Sequence, residues 1–523
     1  MISVRLVGTL IVSGCVAQAA PVTPTSGKFA SPKTPSVSPI RTPVGDGVTQ
    51  ALLLADNQFS NVEAAHAAWS DNYRADTHVT RVAIRPPHMD HWGQRILEHA
   101  LEDGRAKKVG LVLHLGDAAN ISCVSEMHRF TNSMNRAGIP WFMAPGNHDS
   151  LMMGNWAYDA ATAGERTVWG NECKSLASPA GAKSEAMDKD GFLRAYVAAK
   201  GWTEGPATEV DELQCSSVVT NDPRVEARLC RSATGAHWNA YIVQKVVMND
   251  KTSIILLDTT QYRKMPRSIR PGGVTGGIDR DQFVVIRAWL DAEAAQARTV
   301  ILAGHFPLEA LDKPSRAELE DLMKRPSVGA YLSAHTHEAT AARFHTLANL
   351  SRQALEINVG SILDMPMQYA FLGTSGGPGT FQLTMTVVDV PSVLRGNCET
   401  RWGNTKRNQS ITAGYYTSYV KAGAYQLLRK QMFEHARTDL VGVNLPEDFQ
   451  AKELADWALS DIVSEPDVER VADYERCQAL WAAEAEDKTG GPFMGTDATP
   501  KSKIVQLPIG ADASTTWKLP LTH

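Results

Sequence analysis

The sequence predicts an α/β fold whose chemistry sits at strand ends. Three observations carry that reading: short apolar runs recur along the chain, several stop abruptly on Asp, Asn or His, and helical patterns separate them. The first run lies in LLLADNQF and stops at Asp56, Asn57 and Gln58. An apolar run of this length bounded by polar residues reads as a buried strand, so the Asp56 carboxylate emerges at its end, where α/β folds place their ligands. A helical stretch, HWGQRILEHALEDG, leads into VGLVLHLGD, which closes on Gly116 and Asp117. WFMAPGNHD ends a third run with Gly146, Asn147, His148 and Asp149. In GGIDRDQFVVIRAWLDAE, Phe283, Ile286 and Leu290, continued by Ala294, fall at helical spacing and read as a core-packing face. TVILAGHF then puts His305 after a strand, and AYLSAHTHE puts His335 and His337 after another. Alternate residues of an extended segment share a face, so His335 and His337 are expected to enter one pocket, as are Asp56 and Gln58.

A lone Gly-Asp is usually a turn, and a lone buried histidine is usually a satisfied core residue. Five strand ends carrying such residues in this order are not explained by turn chemistry. The set resembles the calcineurin-like metallophosphoesterase superfamily, whose ordered pattern is D-x-H, G-D, G-N-H-[DE], a single His, and G-H-x-H. This chain offers DNQ, GD, GNHD, GHF and AHTH, and the likeness runs from about Ala51 to Val390, including NVGS at Asn358 to Ser361. The resemblance implies a β-sandwich flanked by helices and metal-dependent hydrolysis of a phosphoester. It implies two metal ions, Mn, Fe or Zn, with a bridging water or hydroxide as nucleophile. Carried over by position, Asp117 bridges the metals; Asp56, Gln58 and His337 hold one, and Asn147, His305 and His335 the other. His148 then serves the leaving oxygen as acid, with Asp149 orienting its imidazole.

Departures narrow the likeness. Gln58 stands where the family usually supplies a histidine, and Ala334 replaces the usual glycine before the paired histidines. Asn120 occupies the place where purple acid phosphatases carry an iron-binding tyrosine, and AANIS follows Asp117 in place of the GDxxDRG run of phosphoprotein phosphatases.

The chain has 523 residues, more than one usual core, so a large domain with insertions and an appended unit is expected. Residues 1–19 read as a secretory signal: Arg5 precedes the apolar LVGTLIVSG, too short to span a bilayer. Two processing patterns compete, a lipobox, VSGC, ending at Cys15, and AQA at Ala17 to Ala19; the lipobox is preferred. Residues 20–47 form a Pro/Ser/Thr-rich tether. The catalytic domain is expected over 48–390, with insertions near 60–90 and 150–235, and an α-helical C-terminal extension over 391–523. The first insertion holds His88, Asp90 and His91, read as polar residues capping the following helix rather than a substrate loop. The second holds Cys173, Cys215 and Cys230, either a stapled lid or passive loops. Without Cys15, six cysteines remain, an even number suited to disulfides in an oxidising compartment. Tyr415, Tyr416 and Tyr419 read as helix packing more readily than as a cleft.

The formal net charge of −5 leaves no basic excess to neutralise a nucleic-acid backbone; the partner that the resemblance implies is a phosphorylated small molecule or lipid. Membrane attachment is expected only through a lipid on Cys15, and the expected location is extracytoplasmic, as a bacterial lipoprotein or a periplasmic or secreted protein. Sequons at Asn120, Asn349 and Asn408 then read as chance matches. Two other functions were weighed. GTSGG fits the serine-hydrolase pattern with Ser375 as nucleophile, but Pro378, Gly379 and a strand-like run follow where a helix is needed. A binding protein that has kept the fold but weakened one metal site finds support in Gln58.

Overall fold

The computed structural model describes residues 49–59, 87–120, 122–149, 187–210, 212–233, 239–262, 275–347, 353–363, 368–376, 380–389, 502–506 and 514–519. The expected signal, tether and most of the expected C-terminal extension lie outside these residues, as do Tyr415, Tyr416 and Tyr419.

The described strands form two sheets. In the six-stranded sheet, β1 (Gln50–Leu54), β2 (Leu111–His114) and β3 (Trp141–Met143) run parallel, while β13 (Gln368–Ser375), β14 (Gln382–Asp389) and β16 (Ser514–Lys518) extend it antiparallel beyond β1. The ten-stranded sheet has its own parallel centre, β8 (Thr252–Leu256), β9 (Thr299–Ala303), β10 (Val328–Ser333) and β12 (Ala354–Asn358). On one side β11 (Ala341–His345) and β15 (Ser502–Gln506) complete it. On the other lie β7 (Tyr241–Val247), β6 (Val225–Ser232), β5 (Leu213–Val219) and the edge strand β4 (Thr203–Val210).

Period-two alternation divides the ten-stranded sheet between two cores. Ile254, Leu256, Ile301, Ala303 and Leu332 join the core that contains Leu52, Leu53 and Leu54 of β1. Ile255, Leu257, Val300, Leu302 and Tyr331 face the opposite way. There they meet Phe283, Ile286 and Leu290 of α4 (Arg280–Ala295) and Leu319 and Leu322 of α5 (Lys313–Met323). Two helices pack into the first core: α1 (Pro87–Ala106) through Ile96, Leu97 and Leu101, and α2 (Val124–Arg136) through Met127, Phe130 and Met134. Each follows a parallel strand, the connection such strands require.

Four expectations need correction. Ala294 is exposed, and Glu293 faces inward in its place, with Ser253 Oγ donating at 2.5 Å and Lys245 Nζ at 3.1 Å. The last described segments are strands rather than helix: β15 and β16 close one edge of each sheet. The described part of the second insertion is largely strand rather than loop, because residues 203–232 supply β4, β5 and β6, and a disulfide between Cys215 and Cys230 crosses β5 and β6, while Cys173 lies outside the described residues. His88, Asp90 and His91 fall inside the first turns of α1.

The helix α3 (Lys189–Ala199) begins at Asp188, whose side chain accepts from Gly191 N. Its first residue drives a cation into the core: the fully buried Lys189 Nζ lies 2.8 Å from Asp258 Oδ1, 2.9 Å from Thr260 Oγ1 and 2.5 Å from Thr260 O. Burial lowers the Lys189 pKa and Asp258 opposes that. Removing one partner of such a pair strands a buried charge, at a cost of about 3–5 kcal/mol. Lys189→Met is therefore expected to lower unfolding free energy by about that amount in urea titrations; a loss under about 1 kcal/mol would contradict the pairing.

Candidate metal centre

The parallel strands of both sheets aim their C-terminal ends at one place. Asp56, Asn57 and Gln58 follow β1, Asp117 follows β2, Asn147 to Asp149 follow β3, His305 follows β9, and His335 and His337 follow β10. The strands end before the functional side chains, so alternation is not what brings those side chains together. Instead Asp56, Gln58, Asp117, His335 and His337 all have positive φ, between 37° and 72°. Nine non-glycine residues among those described adopt such angles, and these five are at the site. Left-handed backbone at a non-glycine residue costs about 1–3 kcal/mol and persists only where the surroundings enforce it. Ala334 is not among the nine, so the loss of the family's glycine there brings no left-handed strain.

Two donor groups share Asp117. In one, the ligating atoms of Asp117, His305 and His335 lie within 4.8 Å of one another; in the other, so do those of Asp56, Asp117 and His337. His305 Nε2 is 3.4 Å from Asp117 Oδ2, 3.0 Å from Asn147 Oδ1 and 3.2 Å from His335 Nδ1. Its Nδ1 lies 2.9 Å from the carbonyl of Leu115, which can only accept. The ring therefore keeps a proton on Nδ1, which leaves Nε2 as the nitrogen turned toward Asp117 and Asn147. Burial alone would favour neutrality, yet the neighbouring Asp117 carboxylate outweighs it and holds the His305 pKa up at about 9. His335 is pushed well below the usual value, by burial first and then by His305.

In the second group His337 Nε2 is 3.2 Å from Asp56 Oδ1, and Gln58 Nε2 lies 3.0 Å from Asp117 Oδ2 and 3.2 Å from His337 Nε2. Asp56 Oδ1 and Asn147 Nδ2 are buried without a hydrogen-bond partner among the described residues. Converging carboxylate oxygens and imidazole nitrogens, buried or nearly so, fit divalent cations. The mixed N and O donors suit Mn, Fe and Zn alike.

Asp149 has a different task from the one expected. Its Oδ2 accepts from Asp117 N at 2.9 Å and Gly146 N at 2.8 Å, and its Oδ1 accepts from Ala119 N at 2.9 Å. The carboxylate ties the Asp117 loop to the Asn147 loop. The His148 imidazole is held through Nδ1 by the Asn120 carbonyl at 2.6 Å, and His148 N donates to Asp117 Oδ1 at 2.8 Å. Burial and Asp117 raise the Asp149 pKa to about 7 against the pull of the backbone donors. Gly146 is obligatory here, since a Cβ would lie 2.1 Å from Asp117 Oδ1.

Residues outside the donor set complete the site: Asn358 and Ser361 bound the NVGS run, and Thr259 has no motif to mark it. Asn358 Nδ2 donates to Ala334 O at 2.7 Å while its Oδ1 accepts from Thr336 Oγ1 at 2.7 Å, so one amide spans the turn that carries both late histidines. Ser361 Oγ donates to Asp56 O at 2.8 Å. Thr259 Oγ1, beside Asp258, accepts from His305 N and Phe306 N at 3.2 and 3.1 Å. Ser375, by contrast, is exposed at the end of β13, where a hairpin leads into β14; the strand-to-helix turn of a serine nucleophile is missing. Asn120 is 1% exposed, which leaves no room for a glycan.

Residues 75–217 match the family model of the calcineurin-like phosphoesterases. The two-sheet α/β architecture is the calcineurin-like metallophosphoesterase fold. The match contains Asp117, Asn147, His148 and Asp149; Asp56, Gln58, His305, His335 and His337 lie outside it and are joined to them by the geometry. Among solved structures, the chain is similar to a dimetal phosphatase from Danio rerio at 12% identity and TM-score 0.39, covering 65% of this chain and 96% of that one. It is also similar to a purple acid phosphatase from yellow lupin (Lupinus luteus) seeds at 12% identity and TM-score 0.34, covering 67% of this chain and about half, 52%, of the other. No curated protein matches the chain.

Asp149→Asn would turn an amide N–H₂ toward backbone donors. It is expected to lower unfolding free energy by about 1–3 kcal/mol, measured in denaturant, because a buried donor is left facing donors. Unchanged stability would show that the carboxylate does not tie the two loops.

Proposed function

We propose that this chain hydrolyses a phosphoester at a centre of two metal ions. The observation that carries the reading is Asp117, whose carboxylate belongs to both donor groups at once, with the imidazoles of His305 and His335 in one and Asp56 and the His337 imidazole in the other. Asp117, Asn147, His305 and His335 would hold one ion, and Asp56, Asp117, Gln58 and His337 the other. Such a pair, when bound, supplies Lewis-acid stabilisation of phosphoryl charge and lowers the pKa of bound water.

The protein's own groups supply the rest. The Asn120 carbonyl fixes the His148 ring with Nδ1 protonated, so Nε2 is the nitrogen that can carry a transferable proton to a leaving alkoxide. Asp117 Oδ1, by accepting from His148 N, keeps that ring beside the donor groups. The leader with its lipobox at Cys15, together with disulfide bonding of Cys123, Cys215 and Cys230, supports a location outside the cytoplasm. Among the described residues no helix is long and apolar enough to cross a membrane, so attachment there would rest on Cys15.

A panel of phosphomonoesters, phosphodiesters, nucleotides and phospholipids, assayed with Mn, Fe, Zn and Mg separately, tests the reading; no turnover with any metal would reject it. His148→Ala is expected to keep its metal content and lose roughly 10²- to 10⁴-fold in rate, the usual yield of general acid catalysis. An unimpaired variant would remove His148 from the reaction. The Gln58 amide turns Nε2 toward Asp117 and His337, and rotated by half a turn it would offer a neutral oxygen where imidazole would bind a borderline ion more tightly. Gln58→His is therefore expected to raise Zn affinity at the Asp56 side in metal titrations; unchanged affinity and preference would place Gln58 outside the coordination shell.

A further inference from the structure

We propose that Asn57 and His114 form a positioning pair that sets the Asp56 and Gln58 side of the centre without touching metal or substrate. The inference rests on the metal-centre reading above. Both residues are fully buried, and neither belongs to a donor group. Gly116 N donates to His114 Nδ1 at 3.3 Å, so that nitrogen carries the lone pair and Nε2 carries the hydrogen. Nε2 then donates to Asn57 Oδ1 at 2.5 Å. The amide is oriented independently from its other end, because Asn57 Nδ2 donates to Ala118 O at 3.1 Å. Each bond fixes the sense of the next, and the chain has one self-consistent arrangement.

Its place in the fold gives the pair its purpose. β1 and β2 end at Leu54 and His114, but their parallel ladder continues into the loops: Asp56 N donates to Gly116 O at 3.0 Å, Gln58 N to Asp117 O at 2.8 Å and Phe59 N to Ala118 O at 2.9 Å. Every residue in that extension which carries a donor group has positive φ. Asn57 sits between two of them. Its side chain crosses to the second loop while the flanking side chains of Asp56 and Gln58 turn toward Asp117 and His337. Phe130 of α2 packs edge-on against the His114 ring, with centroids 4.8 Å apart, and closes its remaining freedom. A buried polar pair can exist merely to satisfy itself. This one spans the two left-handed turns whose relative placement decides whether Asp56 and Asp117 can share an ion.

The test uses the full chain with Mn(II) alone as probe, titrated calorimetrically, alongside hydrogen exchange at the Gln58 and Phe59 amides. Asn57→Leu and His114→Leu are each expected to weaken one Mn(II) site roughly 10- to 100-fold, the usual loss when a group orienting a ligand is removed, and to leave the other site unchanged. Exchange at the two amides should accelerate in both. The double variant should lose less than the product of the two single losses, since both delete the His114–Asn57 bond. His114→Gln, whose amide can donate to Asn57 Oδ1, should recover most of the affinity and remains informative if a leucine variant fails to fold. Unchanged binding and exchange in the leucine variants, or equal loss at both sites, would overturn the positioning role. A wild-type chain that binds no Mn(II) would instead overturn the metal-centre reading on which it stands.

Discussion

The structure depends on the left-handed backbone at Asp56, Gln58, Asp117, His335 and His337. Each residue resists that conformation, because its Cβ crowds the carbonyl that follows, and five such costs at one place demand compensation. The compensation is a shell of buried hydrogen bonds to the backbone of the same turns. Asp149 binds three amides across two loops, Asn358 spans the histidine turn, Ser361 holds the Asp56 carbonyl, and Thr259 holds the amides of His305 and Phe306. Strain at the site and polarity around it are two aspects of one design.

That design explains why so many polar groups are buried. An isolated carboxylate in a protein interior is expensive, and Asp56, Asp117, Asp149 and Asp258 are all fully buried. Asp149 and Asp258 are satisfied by protein donors, Asp149 by amides and Asp258 by Lys189 and Thr260. Asp56 and Asp117 face imidazoles and an amide, and Asp56 Oδ1 keeps no hydrogen-bond donor. The carboxylates thus divide into a pair held by the scaffold alone and a pair gathered with the imidazoles, of which Asp117 also accepts from His148 N and Gln58 Nε2. His305, held at about pKa 9 by Asp117, expresses the same demand in the language of protons.

The strands, and most of the residues that the structure gathers at their ends, were legible in the sequence because apolar runs end abruptly where a buried strand meets a polar turn. LLL, LVLH, TVILA and AYLS all became strands, and the Asp, Asn or His beyond each run lies at the site. The stated reason for the side-chain direction was wrong, since the ligands follow left-handed turns rather than strand alternation. Ala294 was misplaced for a similar reason: helical spacing admits either neighbour at the end of a face, and an ion pair with Lys245 drew Glu293 inward instead. Asn57 and His114 stood beside the motifs without a signal of their own, because a residue that bonds to a loop distant in sequence has no period to betray it.

By itself the sequence determined which residue types would stand at strand ends, because burial of apolar runs and exposure of polar ones is a local choice made residue by residue. It determined the likeness to a metal-dependent fold through order and spacing. Only the tertiary structure decided that the Asp149 carboxylate binds backbone amides, that the last described segments pair as strands at the edges of both sheets, and that the described part of the second insertion widens a sheet. Each of those outcomes is a hydrogen bond between segments far apart in sequence, and the partner of such a bond is fixed by where the folded chain brings it, not by its neighbours along the chain.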